Sequence, residues 1–476
     1  MRDRLLGVRA IRWAVGRPVL AVGLVAVVAR AATAAVLNLM ASMAFAPDAV
    51  QYLAIAEAAS SGWLDSLWQG YGASLYGATR FFSAQIAVLF EFVGPYRAIG
   101  QSVAVLYGVV TAVAATSVAL RVVRPAFALG AGLLVAILPS QVLWSSVVLR
   151  ESAIWALLAV AAVLLERASG RVDRIRLALV GVGAACVYIH LLHLREQTAF
   201  LMLWAAVAAL VLGVGRIGSR LFVVALVLVV APLAVDRTVG ELGFLAQSMD
   251  RLGTVRTYMA MGAESAIAEP EPVDREPVYS VVDDGFSSDS GAATSVPPTT
   301  VSFGDSDGGV EAVDEGAAGS RTPSAGDVLD RELNETERGQ KFVIDLEGRA
   351  VAVHNELSAS LEAFPRGLVA VTLRPFPWED SSTWKRTLAG LESSLWFSLY
   401  CLAALGCWAR RRDFAPIAYP SILIGVLLAS AAVTQGNLGT AFRHRGQLLW
   451  ALAILSAAGL QWWVDRARQG RTCERG

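Results

Sequence analysis

The sequence predicts an all-α polytopic membrane protein of about ten transmembrane helices, with outer-face loops and amphipathic helices. Three observations lead there. Hydrophobic residues make up 55% of the chain against 17% charged, and mean hydropathy is +0.53, outside the range of a soluble globular domain. Apolar runs of span length recur along the chain. Every second connection between those runs is basic, as alternating crossings of a bilayer require.

The runs lie near 18–46, 98–120, 126–143, 152–166, 176–193, 198–214, 219–236, 393–409, 414–434 and 446–464. The first follows Arg2, Arg4, Arg9, Arg12 and Arg17 and exceeds a signal-peptide core, so it reads as an uncleaved span that tilts or projects. Arg30 lies within it and must either snorkel or face the bundle interior. The third and fourth runs are short and meet at Pro139-Ser140, where the proline breaks any continuous helix. Cys186, Cys401 and Cys407 fall in apolar runs and Cys473 in the basic tail, and no metal-ligand spacing relates them.

With the N-terminus cytoplasmic, the inside connections hold Arg121 and Arg124, then Arg167, Arg171, Arg174 and Arg176, then Arg216 and Arg220, then Arg410, Arg411 and Arg412. The tail adds Arg466, Arg468 and Arg471. This places both termini in the cytoplasm and segments 47–97, 140–151, 193–197, 237–392 and 435–445 outside an inner (plasma) membrane. The formal charge of zero hides a division between basic short loops and one acidic stretch, and nucleic acid is excluded as a partner.

The expected organisation is a transmembrane core over 1–237 with its outer loop 47–97, a connection over 238–262, an acidic insertion over 263–340, an outer amphipathic segment over 341–392, and closing helices with a basic tail over 393–476. The insertion is rich in Asp, Glu, Ser, Gly, Pro and Thr and buries too little apolar surface to fold. After it, Ala350, Val353, Leu357, Leu361 and Phe364 recur at helical spacing. Asn334-Glu335-Thr336 is a glycosylation sequon by pattern.

Four outer segments carry residues with chemistry. In Pro47-Asp48-Ala49-Val50-Gln51-Tyr52, Asp48 and Tyr52 are one helical turn apart and are expected on one face. A carboxylate there can deprotonate an acceptor hydroxyl, or hold a divalent cation beside a phosphate. Asp48 with Gln51 is equally a helix-capping arrangement. In the second segment, Arg150 and Glu151 form an anion ligand and a second acid or base, or else an interfacial anchor. In the third, His190 and His193 have no completing metal ligands nearby, and Arg195 is the better candidate, as an anion ligand. The fourth, Gly436-Asn437-Leu438-Gly439-Thr440-Ala441-Phe442-Arg443-His444-Arg445, concentrates cations outside against the positive-inside trend. Together these residues suit an anionic, membrane-embedded substrate such as a lipid-linked phosphate sugar. No metal site is expected beyond a divalent cation at Asp48.

On these residues the chain resembles the GT-C superfamily of polytopic glycosyltransferases, which use polyprenyl-phosphate sugar donors. The resemblance rests on the topology, on Asp48 with Tyr52 in the first outer loop, on the short spans around Pro139, and on the Pro375-Phe376-Pro377-Trp378 and Asn437–Arg445 segments. It covers the membrane core and not 263–340. It implies an inverting transfer at the outer face, with Asp48 as general base and Arg443, His444 and Arg445 near the donor phosphate. Ala49 follows Asp48 where many members carry a second acid. The large exported C-terminal domain of some members is missing, which favours a glycan or lipid acceptor over a protein. The expected function is therefore a cell-envelope glycosyltransferase of polysaccharide biosynthesis. Its rivals are a repeat-unit polymerase, an envelope-lipid transporter or flippase, and a non-catalytic assembly partner.

Overall fold

The structure is a computed structural model that describes residues 11–39, 47–60, 77–168, 173–212, 342–344, 350–352, 364–365, 367–369, 371–376, 384–434 and 438–473. The expected span 219–236, the connection 238–262 and the insertion 263–340 lie outside the described residues. The chain divides into two compact units, residues 1–263 with 354–476, and residues 264–353.

In the larger unit the described elements are helices: α1 (Pro18–Leu39), α2 (Pro47–Ser60), α3 (Gly77–Val93), α4 (Arg97–Val122), α5 (Pro125–Ile137), α6 (Pro139–Trp144), α7 (Glu151–Ala168), α8 (Arg174–Leu194), α9 (Glu196–Leu212), α10 (Trp384–Ala409), α11 (Ala418–Thr434) and α12 (Leu438–Cys473). Proline opens α1, α2, α5 and α6, where its missing N–H is no loss and its φ is already helical. Asp173 caps α8, its carboxylate accepting from the Arg176 N–H at 2.7 Å. Gly94, at φ 105°, ends α3 in a conformation closed to other residues.

Among the described residues, five helical stretches are long and apolar enough to cross a membrane: Pro18–Leu39, Arg97–Val122, Arg174–Leu194, Ala415–Ala432 and Arg445–Gly470. Shorter apolar helices cover Phe81–Val93, Pro125–Ile137 and Gln197–Ala209. The break at Pro139 is present. Leu138 adopts ψ 126°, the extended geometry that a following proline imposes, so α5 and α6 are separate helices.

Three boundaries differ from the sequence reading. Part of segment 47–97, expected as an outer loop, is helical, because α3 buries Phe82, Ile86 and Phe90 against its neighbours. The closing helix begins at Leu438, so Arg443, His444 and Arg445 sit on its first turns rather than in a loop. In the smaller unit, Ala350 lies in a strand and does not open a helix. Phe342–Ile344 and Ala350–Ala352 pair antiparallel, with Val343 opposite Val351. The β-formers Phe342, Val343 and Ile344 give Ala350–Ala352 a local partner that outcompetes helical periodicity there.

The helices pack closely where side chains are small. A Cβ on Gly406 or Gly459 would run into backbone of the facing helix, so α10 and α12 cross at near backbone contact. Hydrogen bonds define two ends of the bundle. At one, Asn38 donates to Gln101 at 2.6 Å and Gln101 donates to the Ser146 carbonyl at 3.1 Å. At the other, the Arg124 N–H reaches Gln461 at 2.8 Å, Arg124 pairs with Asp465, and Arg410 donates to the Val122 carbonyl.

Candidate functional site

The first end of the bundle gathers polar residues from three separate stretches of chain. Glu151 opens α7, and Arg195 stands at the turn between α8 and α9; Arg195 Nη2 lies 3.8 Å from Glu151 Oε1. Both side chains are largely buried, 17% exposed for Arg195 and 9% for Glu151. Tyr52, on α2, is 6% exposed and packs edge-on against Phe82 with ring centroids 5.6 Å apart. Burial holds the Tyr52 phenol above its ordinary ionisation range; Arg150 and Arg195 oppose that rise, Glu151 adds to it, and a side-chain hydrogen bond with Thr79 opposes it. Arg150, Glu151 and Arg195 thus all act on the Tyr52 phenol, and Arg195 and Glu151 also pair with each other. Two arginines and one glutamate give these four residues a formal charge of +1, Asp48 at the rim of α2 not counted.

Within it, Glu151 Oε2 is buried and has no hydrogen-bond partner among the described residues. Buried carboxylate oxygens almost always have one, because the desolvation penalty otherwise goes unanswered. The same face of α7 continues one turn on to Trp155, which is fully buried and whose indole N–H also has no partner among the described residues. Gly446 packs so closely on Trp155 and Gln141 that a Cβ there would overlap the indole.

Asp48 is exposed in the first turn of α2, while Tyr52 is buried. The inward face of this helix is centred on Ala49, Tyr52 and Ala56, and Asp48 sits at its rim, so the expected shared face is only partial. Among the described residues no three His, Cys, Asp or Glu side chains group closely enough to hold a metal ion, at Asp48 or elsewhere. His190 is held instead by Gln85 at 3.1 Å, with Tyr107 donating to Gln85 at 2.7 Å, and Phe81 stacks on His193 at 4.9 Å.

Arg445 belongs to a second buried group. It is fully buried, and its guanidinium donates to the Val371 and Arg374 carbonyls and to Ser393 Oγ at 3.4 Å. Glu392 lies close enough to act on its charge and accepts three hydrogen bonds: from the Ser140 N–H at 3.0 Å, Ser140 Oγ at 2.5 Å and Trp396 Nε1 at 3.0 Å. The structure therefore places Arg445 with Glu392, apart from the contacts that join Tyr52, Arg150, Glu151 and Arg195. The side chains of Arg443 and His444 lie outside the described residues.

Two further charges are buried: Glu392, which the sequence does not single out, and Arg30, for which the structure selects the bundle interior over snorkelling. Glu392 had one signal, a lone acid in an apolar run with Trp396 one turn on. Arg30 is fully buried and faces the bundle interior. It donates to Ser145 Oγ at 2.8 Å and to the carbonyls of Ala136 at 2.9 Å and Val135 at 3.1 Å. Those carbonyls end α5, where the helix dipole favours a cation. Gly108 makes the room, since a Cβ there would overlap the guanidinium. Arg30 thus caps the last turn of α5, and Glu392 satisfies the first N–H of α6, that of Ser140, one charge on each side of the Pro139 break.

No family model matches this chain, and no curated protein or solved structure matches it.

Proposed function

We propose that this chain is a cell-envelope membrane glycosyltransferase of GT-C type, moving a sugar from a polyprenyl-phosphate-linked donor to a glycan or lipid acceptor at the outer face. The observation that carries this reading is the group of buried Tyr52 and Glu151 with the half-buried Arg195 and Arg150, at one end of an apolar helical bundle. It has one net positive charge and an unanswered carboxylate oxygen. Such a site suits a ligand that brings both an anion and a proton donor, as a lipid phosphate and a sugar hydroxyl do together. Arg121, Arg124, Arg410, Arg411 and Arg412 sit at the opposite end, which the positive-inside trend assigns to the cytoplasm, so the group faces outward. The arginines stabilise the departing phosphate, and one of two acids takes the acceptor's proton: the family resemblance offers Asp48, and the buried group offers Glu151. Arg443 and His444 supplement the phosphate contacts, and the 263–340 insertion takes no part. No step calls on a metal ion.

The test is the lipid-linked glycan profile of a host lacking the gene, complemented with wild type, Arg150→Ala or Arg195→Ala. Accumulation of an outward-facing lipid-linked precursor, rescued by wild type and by neither variant, is the expected result. Product size then separates addition of one sugar from chain polymerisation. A precursor held on the inner leaflet, or full rescue by both variants, sinks the reading.

One observation favours a second reading, lipid translocation. Transporters place buried ionisable groups at discontinuous helices, and Arg30 meets the α5–α6 break inside the bundle. Its donors are directed to helix carbonyls and Ser145, which weighs toward a structural role. An inner-leaflet precursor in the deletion host would reverse that weighting.

A further inference from the structure

From the geometry of the buried group we infer that Glu151, rather than the exposed Asp48, accepts the acceptor's proton, and that in doing so it hands Arg195 to the departing phosphate. This rests on the glycosyl-transfer reading of the same site.

The argument starts from the pair itself. At 3.8 Å the Arg195–Glu151 contact is an ion pair longer than a hydrogen bond, and it leaves Glu151 Oε2 with no partner among the described residues. A buried carboxylate held on one oxygen presents the other as an acceptor for an O–H. Asp48 sits at the exposed rim of α2, where water competes for any proton it would take.

Charge balance gives the second line. A sugar linked to a polyprenyl monophosphate is a phosphodiester with one negative charge. Bound beside Arg150, Arg195 and Glu151, it brings the formal charge of those three side chains from +1 to zero. In the transfer, the acceptor oxygen bonds to the anomeric carbon and the carbon–phosphate-oxygen bond breaks. Its electron pair stays on the phosphate, and the acceptor's proton goes to Glu151 Oε2. The phosphate is now a dianion and Glu151 is neutral, so the sum is again zero. Negative charge has moved from carboxylate to phosphate, and the arginines follow it. No unbalanced charge appears in a site that water reaches poorly, which is the condition for a low barrier there.

The balance predicts that the free site binds a phosphate dianion together with a proton and a monoanion without one. The full-length chain in detergent is titrated by calorimetry near pH 8.5, well above the second ionisation of a phosphate monoester at about 6. Two buffers of different ionisation enthalpy report protons taken up. Dodecyl phosphate serves as the dianion and dodecyl methyl phosphate as the monoanion. The expected result is uptake of about one proton with the first and none with the second. In Glu151→Gln the uptake disappears, and the dianion binds about tenfold or more tighter than to wild type, because a unit of repulsion at contact distance is gone. Binding of dodecyl phosphate to wild type without proton uptake overturns the proposal, and that arm decides even if Glu151→Gln does not fold. Failure of both probes to bind overturns it too, as does full rescue of the host glycan by Glu151→Gln. Inorganic phosphate run in parallel separates the source: uptake with the dodecyl ester alone marks a lipid-borne phosphate, and uptake with both marks the phosphate itself, either supporting the exchange. Proton uptake in a protein whose deletion leaves the host glycan unchanged keeps the exchange and removes glycosyl transfer.

Discussion

Glu392 with Arg445 and Glu151 with Arg195 are both buried acid–arginine associations, and they differ in how completely they are answered. Glu392 accepts three hydrogen bonds, and Arg445 is enclosed by two carbonyls and a serine hydroxyl. Glu151 has one arginine at 3.8 Å and an idle oxygen. A buried charge whose bonds are all internal has nothing left for a ligand; it ties α6, α10, α12 and the short helical segment at 371–374 together. One left half-answered destabilises the free protein and becomes answered only when something binds. The contrast separates architecture from function better than charge or position does.

The comparison breaks most visibly at its closed member. Glu392→Ala strips the acceptor from Ser140 and Trp396 and leaves Arg445 without its acid. Thermal unfolding of the detergent-solubilised chain should show a loss of about 3–5 kcal/mol, the usual effect of breaking a buried pair from one side. Glu151→Gln, with the shape kept, should change stability by about 1 kcal/mol or less, since one long ion pair is lost and a desolvated charge is relieved. Its effect falls on activity instead: glycan restored in a deletion host should drop about 10²–10⁴-fold. Equal stability losses in the two variants would erase the distinction between the pairs.

Much of this was legible in the sequence, for reasons that also mark where legibility stops. The apolar runs and the Pro139 break follow from local rules of hydropathy and backbone sterics, and α4, α5, α7, α8 and α11 lie where those rules put them. Tyr52, Arg150, Glu151 and Arg195 could be singled out as polar residues flanking apolar runs. Their meeting could not, because it depends on how α2, α7 and the α8–α9 turn pack. Arg443 and Arg445 look alike on the page; burial of Arg445 is a property of the α10–α12 crossing, which Gly406 and Gly459 permit. Arg30 resisted placement because its acceptors are carbonyls at the end of α5, about 105 residues away in the chain, and backbone groups leave no residue-type signal. Helical spacing alone sets Asp48 and Tyr52 on one face; the centre of that face lies one residue on, at Ala49, and is fixed by the packing of α2 on α3.

Smaller effects sharpen the contrast. Tyr52→Phe removes the phenol that shares the Glu151 group and its bond with Thr79, for a loss of about 0.5–1.5 kcal/mol below pH 10. The folded protein holds this phenol above its ordinary range, so the neutral form is the favoured one. That contribution is fully present below the unfolded value of about 10 and fades as pH rises past it toward the higher folded value. Wild type should therefore lose stability in alkali that Tyr52→Phe does not, seen as converging unfolding midpoints above pH 10.

The smallest effect belongs to the opposite end of the bundle. Arg124 and Asp465 form an ion pair there, with side chains 48% and 39% exposed. Water screens such a pair, and ordering two side chains offsets much of the attraction, so Asp465→Asn should cost about 0–1 kcal/mol, less still at high salt. Glycan restoration should stay at the wild-type level, because nothing at that end touches the Tyr52–Glu151 group. If Asp465→Asn instead abolished restoration with the fold intact, the polar chemistry could not be confined to one end of the bundle. An alternating pathway through it, with Arg30 midway, would then account for the buried charges better than a one-sided transferase.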